Sequence, residues 1–282
     1  MRDINKLKSI AAQVRRDIVR QVHSAKSGHP GGSLGCADYF TALYFDIMKH
    51  TPKPFDITGK DQDVFVLSNG HLSPVFYSAL ARSGYFDVSE LATFRQINSR
   101  LQGHPTTHEG LPGVRVATGS LGQGLSVAVG IAQGKKLDKE NNLVYALCGD
   151  GEIQEGQIWE AVMYAAHNKV DNLIATVDFN GQQIDGPTKD IMGFHSIKEK
   201  FDAFDWLTLE CDGNDMEDLT ATLDKAKAMA HKGKPIMIIM KTEMGAGVDY
   251  MMGSHKWHGI APNDEQLAKA MEQLAVSEMG DY

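Results

Sequence analysis

The sequence predicts an α/β fold, a doubly wound and mainly parallel sheet with helices on both faces. Three observations carry that reading. Short apolar, β-branched runs recur along the 282 residues, each too short for a helix. Longer segments with the 3.6-residue period of amphipathic helices alternate with them, as they do in parallel sheets. Gly-rich and polar segments follow the runs, where strands of such a sheet present their ligand-binding loops.

Residues 1–20 alternate charges with Ile4, Leu7, Ile10, Val14 and Ile18, which makes them an amphipathic helix without the continuous apolar core of a signal peptide. Residues 63–67, 143–148, 173–178 and 235–241 read as buried parallel strands. Helices are expected over 34–48, 74–83, 121–137, 157–167 and 216–230. Residues 263–282 read as a terminal helix capped by Asn263 or Asp264, with Leu267, Met271 and Leu274 as its apolar stripe. No stretch rich in Pro, Ser or like charges marks a linker, so residues 1–282 are expected to form a single domain.

Composition narrows the function classes. The formal net charge of −8 argues against nucleic acid, whose backbones are bound by basic stripes. The longest strongly apolar run, 236–240, is far too short to span a membrane. Cys36, Cys148 and Cys211 show no disulfide or metal-ligand spacing, so the reducing cytoplasm is the expected setting.

Two segments point to a metal and phosphate. Asp150 sits in a Gly-Asp-Gly turn after one apolar strand, and Asn180 follows the next strand 30 residues later. Either alone is most simply a turn. Together they offer a carboxylate, an amide oxygen and loop carbonyls, the hard ligands of Mg²⁺ or Ca²⁺, and Mg²⁺ commonly completes its shell with phosphate oxygens. Five histidines, His29, His71, His104, His255 and His258, lie in Gly- or Pro-punctuated loops. Imidazoles converging from loops suit proton handling on a polyol. His23, His50, His108, His167, His195 and His231 are read as structural or exposed.

With those motifs stand Ser27-Gly28-His29-Pro30-Gly31-Gly32, Ser68-Asn69-Gly70-His71, Gln102-Gly103-His104-Pro105, Gly119-Ser120-Leu121-Gly122-Gln123-Gly124 and Gly253-Ser254-His255-Lys256-Trp257-His258-Gly259. In this order, over about residues 10–262, the sequence resembles the thiamine diphosphate-binding N-terminal domain of transketolases. The resemblance implies that Asp150, Asn180 and the carbonyl of Gln182 hold the metal. It implies that Gly119, Ser120, Gly149 and Gly151 lie along the cofactor. His29 and His258 would stand near the diphosphate and the reacting hydroxyl, and His71 and His104 near the cofactor and the donor's first carbons. Leu121 and Ile184 resemble the residues that pack on the thiazolium ring, although core packing explains either nearly as well. Glu155 resembles the glutamate that couples two active sites across a subunit interface, and is otherwise a solvated Glu favoured by the helix dipole.

A complete enzyme of this kind also needs a pyrimidine-binding domain, and nothing after residue 262 resembles one. The implied reading is a split transketolase that moves a two-carbon ketol unit from a ketose to an aldose. A second chain would supply the pyrimidine-binding and C-terminal domains, with α2β2 as the expected assembly, pentose phosphates as the default substrates and an apolar rim around the histidine loops. The alpha chain of a 2-oxoacid dehydrogenase and deoxyxylulose-phosphate-synthase-like proteins share the metal motif, but the four histidines 29, 71, 104 and 258 favour a sugar. Ser120 stands where many full-length transketolases carry Pro. A non-catalytic homologue is a further alternative, set against the intact ligand spacing.

Overall fold

The computed structural model describes residues 2–282. The apolar runs become β1 (Val64–Leu67), β2 (Val144–Gly149) and β3 (Leu173–Phe179), followed by a short antiparallel pair, β4 (Gln182–Gln183) and β5 (Gly186–Pro187), and then β6 (Leu207–Asp212) and β7 (Ile236–Lys241). The five long strands pair in parallel in the order β1-β2-β3-β7-β6. The inner strands are buried along nearly their whole length, which is why they read as continuous apolar runs and not as alternations.

Helices cover both faces. One apolar layer packs on α1 (Ile4–Ala25), α2 (Pro30–Gly35), α3 (Ala37–Ala42) and α4 (Ser73–Arg82), and the other on α5 (Gln123–Leu137) and α6 (Gly156–His167). The short α7 (Thr188–Met192) follows β5, α8 (Ile197–Ala203) joins the second layer, and α9 (Met216–Met229) and α10 (Asp264–Gln273) join the first. The chain steps from β2 through α6 to β3, and through α8 to β6, on one face. It returns from β6 to β7 through α9 on the other, as right-handed crossovers require when the direction of travel reverses.

Helix α1 forms because Asp3 caps it, accepting from the Lys6 amide at 3.0 Å, and because Leu7, Ile10, Val14, Ile18 and Val22 bury one stripe. The segment 34–48 is not one helix. Pro30 starts α2 early, the helix is interrupted at Cys36, and a π-helical turn over Leu43–Ile47 ends the run. The break falls where Gly35 abuts the Glu243 carbonyl so closely that a Cβ would come within 2.9 Å of it. Helix α5 starts at Gln123, two residues later than expected, because Gly122 is left-handed with φ 87°.

Residues 263–282 are not one helix either. α10 ends at Gln273, after a capping box between Asn263 and Gln266. The Arg16 guanidinium takes the carbonyls of Met271 and Leu274 at 2.9 and 2.8 Å and pairs with Asp281 at 2.7 Å. These contacts to α1 outweigh the helical period of the tail. The edge strand β6 had no sequence forecast, because its exposed Glu210 and Asp212 interrupt the apolar pattern. Among the described residues no helix is long and apolar enough to cross a membrane.

Candidate active site

The loops after β1, β2 and β3 open on one cleft of about 370 Å³ at the carboxyl ends of the strands. Asp150 leaves β2 into its wall and is 2 % exposed. One carboxylate oxygen accepts from the Gly151 amide at 2.8 Å and the other from Gly181 at 2.7 Å, so Asp150 ties the two predicted metal loops together. Burial first, then the neighbouring Asp178, pushes its carboxyl up to about 7, against the pull of those two amides. The Asn180 amide donates to Asp178 at 2.8 Å while its oxygen accepts from the Gln182 amide at 2.9 Å. Asp178, also buried, accepts from the Thr242 hydroxyl. A single carboxylate flanked by amide and carbonyl oxygens would suit a hard cation; no cluster of three His, Cys, Asp or Glu ligands occurs among the described residues.

Four of the five loop histidines converge. Ring centroids stand 5.0 Å apart for His29 and His71, 5.1 Å for His71 and His258, 5.6 Å for His29 and His258, and 6.4 Å for His29 and His104. His255 shares a turn with His258 but does not line the cleft. Burial lowers the proton affinity of all four, His29 to about 4 with help from His258, Arg95 and His104. They are neutral at pH 7, each with one nitrogen free to accept a proton.

Local sequence explains the convergence. His29 caps α2, with Pro30 at the first helical position. Gly31 lets α2 press on the turn of His258, for a Cβ there would lie 2.8 Å from the Trp257 carbonyl. Gly119, at φ 137°, takes a conformation L side chains avoid and lays its bare Cα against the His104 ring.

The cleft brings together His29, His71, His104, His258, Gly119, Leu121, Gly149, Asp150, Gly151, Glu155, Asn180, Gln182 and Ile184. Ser120 is the exception: it lines an adjoining groove with Thr118 and Gln123. Leu121 and Ile184 are 41 % and 65 % exposed and fill no core. Glu155 is the cap residue of α6, exposed and without a side-chain cap bond.

Two groups had no sequence forecast. Glu152, 2 % exposed, accepts from the Ser68 hydroxyl and from the amides of Gly122 at 2.9 Å and Gly149 at 3.0 Å. Asp178 orients Asn180 through the amide bond given above. Their only sequence signal is an acid beside a turn, which surface turns share.

The family model for the transketolase thiamine diphosphate binding domain matches residues 7–280. The chain belongs to the transketolase family. It is 41 % identical over 261 residues to one chain of the apulose-4-phosphate transketolase of Phocaeicola vulgatus, covering 93 % of this chain and 91 % of that one. It is 36 % identical to the 6-deoxy-6-sulfo-D-fructose transketolase subunit SqwG of a Clostridium species, covering 94 % and 93 %. Human transketolase is 36 % identical, with 97 % of this chain matching 42 % of that protein. The crystal structure of Campylobacter jejuni transketolase superposes with a TM-score of 0.90 at 37 % identity, over 98 % of this chain and 44 % of that one. The chain thus spans nearly the whole of the first two relatives, both named as transketolase subunits, and under half of the long transketolases. Thiamine diphosphate is the family's cofactor, and the cleft fits it. Buried Nδ1 atoms of His29 and His258, with Asn69 Oδ1 and Gln183 Oε1, belong to residues lining the cleft and have no hydrogen-bond partner among the described residues, a pattern expected of groups that await a polar ligand.

Proposed function

We propose that this chain is the diphosphate-binding subunit of a two-component transketolase, moving a two-carbon ketol unit from a ketose to an aldose. The observation that carries the reading is the four-imidazole cluster beside Asp150 and Asn180. A 2-oxoacid offers no row of hydroxyls for four neutral imidazoles to engage, whereas a sugar does.

Asp150, the Asn180 side-chain oxygen and the Gln182 carbonyl would hold Mg²⁺ or Ca²⁺ against the diphosphate, with Gly149, Gly151 and Gly119 permitting close backbone approach. Leu121 and Ile184 would bear on the thiazolium ring. Thiamine diphosphate, when bound, supplies the carbon nucleophile that carries the two-carbon unit. This chain's own contribution is positional and acid–base. His258 and His29 would take the proton from the donor hydroxyl and return it to the acceptor, a role supported by the lowered proton affinity of each ring and by an Nδ1 without a partner among the described residues. His71 and His104 would hold the first carbons of the sugar. Glu155, exposed and on the lining of the cleft, would join two sites across an interface.

A second chain with the pyrimidine-binding and C-terminal domains completes the site in this reading, in an α2β2 assembly. The rim supports a partner: Leu121 and Ile184 line the cleft with exposed apolar side chains, and Ile191, Met192 and Ile260, close in sequence to cleft residues, are exposed as well. The relatives named for a sugar phosphate and a sulfo sugar support a ketose with an anionic far end. The test is ketol transfer with thiamine diphosphate and Mg²⁺, using ketose phosphate, ketose sulfonate and pyruvate as donors. The chain alone should be inactive and the chain with its partner active on a ketose. Full activity alone, or preference for pyruvate, overturns the proposal.

A further inference from the structure

Arg95 plays no part in the chemistry proposed above, yet its surroundings are unusual. It is a non-glycine residue in the left-handed region, φ 58°, a conformation that persists only where neighbours hold it. Arg2, Arg15, Arg16, Arg20, Arg82 and Arg100 each pair with a carboxylate, whereas among the described residues half-buried Arg95, like Arg115, pairs with none. Its guanidinium donates from Nη1 to the Ser27 hydroxyl at 2.7 Å and makes a longer 3.5 Å contact from Nη2 to the Gly103 carbonyl. It lies against the bare Cα of Gly103, where a Cβ would come within 2.8 Å of Cζ, and its Nε is buried without a partner among the described residues. Ser27 stands two residues before His29, and Gly103 immediately precedes His104.

We infer that Arg95 is a positioning residue of the imidazole cluster: one rigid guanidinium bridges the loops of His29 and His104 and sets an uncompensated positive charge beside both rings. The planar fork explains the choice of arginine, because it engages two loops at once and cannot lose its charge at any working pH. The charge favours the neutral form of both imidazoles, in the same direction as their burial. The other groups near His29 are His71, His104 and His258. The carboxylates of the cleft, Asp150, Glu152, Glu155 and Asp178, come from β3 and from the loop and cap residue after β2, and none is hydrogen-bonded to a histidine.

The inference concerns the chain itself, so it is tested without cofactor, partner or sugar, and its failure is separable from failure of the transketolase reading. Histidine ring resonances of the isolated chain are followed by NMR against pH in wild type, Arg95→Gln and Arg95→Lys, with circular dichroism as the check on folding. In Arg95→Gln the titrations of His29 and His104 should move up by about 0.5 unit or more, the size expected for a unit charge several ångströms away in partly solvated surroundings. His50, held by the Tyr44 carbonyl, serves as the unmoved internal reference. Arg95→Lys keeps the charge and loses the fork, so both titrations should stay near wild type while both sets of ring resonances shift. Unmoved titrations in folded Arg95→Gln overturn the electrostatic half, and unmoved resonances in Arg95→Lys overturn the positioning half. Should Arg95→Gln not fold, the lysine variant alone decides, since titrations rising with the charge retained contradict the inference.

Discussion

Replacing Glu152 by Gln changes one atom of a buried side chain and should loosen three loops together. The carboxylate accepts three hydrogen bonds: one oxygen takes the Ser68 hydroxyl and the Gly122 amide, the other the Gly149 amide at 3.0 Å. Glutamine has one acceptor oxygen. If it serves Ser68 and Gly122, its NH₂ faces the Gly149 N–H, donor against donor. The variant forfeits charge assistance on two bonds and leaves the Gly149 donor unsatisfied inside the protein. Lost charged hydrogen bonds cost about 1.5–3 kcal/mol each and a buried orphan about 1–3 kcal/mol, offset by the smaller desolvation of a neutral amide, since burial pushes the Glu152 carboxyl up. The net is about 2–4 kcal/mol, or roughly a 3–7 °C fall in Tm for a chain of this size. Urea denaturation of the isolated chain, with the m-value held constant, reads it. Because the three donors belong to the loops of Asn69, Leu121 and Asp150, calorimetric affinity for thiamine diphosphate with Mg²⁺ should fall in parallel. A loss under 1 kcal/mol would refute the reasoning and mean that Glu152 is protonated in the native protein.

Asp150→Ala removes the one charged ligand of the predicted metal set and should abolish Mg²⁺-dependent binding of thiamine diphosphate by calorimetry; retained tight binding removes Asp150 from the site. His258→Ala, assayed in the assembled enzyme, should lower kcat about 10²-fold or more while leaving cofactor affinity within a few fold, and an unchanged kcat excludes it from proton handling. For pH dependence, the folded His29 titrates at about 4, below its unfolded value of 6.5. Its neutral form is favoured by folding, so this contribution is present above 6.5 and is lost as the pH falls toward 4. The shift corresponds to about 3 kcal/mol at most, and about 1–2 kcal/mol after allowance for partial exposure. Wild type should therefore lose that much stability relative to His29→Gln between pH 7 and pH 4 in urea titrations, whereas parallel curves would show that the ring is solvated.

What could be read in the sequence divides along a physical line. Asp150, Asn180 and the four loop histidines that reach the cleft were legible because their signals are local: a Gly-Asp-Gly turn at a strand end, an Asn-Gly turn at the next, imidazoles bounded by Gly or Pro; His255 carries the same signal and does not line the cleft. Strands β1, β2, β3 and β7 were legible because burial on both faces leaves an apolar run, whereas the edge strand β6 exposes Glu210 and Asp212, which hide it. The tail looked helical to its end, since periodicity within 263–282 carries no mark of Arg16, 255 residues before Met271, which turns it back. The same holds for the charged groups that set the site's electrostatics. Glu152 acquires its role from Ser68, 84 residues distant, Asp178 from Thr242, 64 residues distant, and Arg95 from Ser27, 68 residues distant. Residues that meet a ligand must sit in loops with special backbone geometry, and that geometry leaves glycines and prolines behind. Residues that hold such loops in place answer only to partners across the fold and can occupy any position whose side chain reaches. The part of the site that remains silent in a single sequence is therefore its supporting layer, and in this chain that layer holds two buried carboxylates and a half-buried guanidinium, of which Asp178 adds to burial in raising the Asp150 carboxyl and Arg95 adds to burial in lowering His29 and His104.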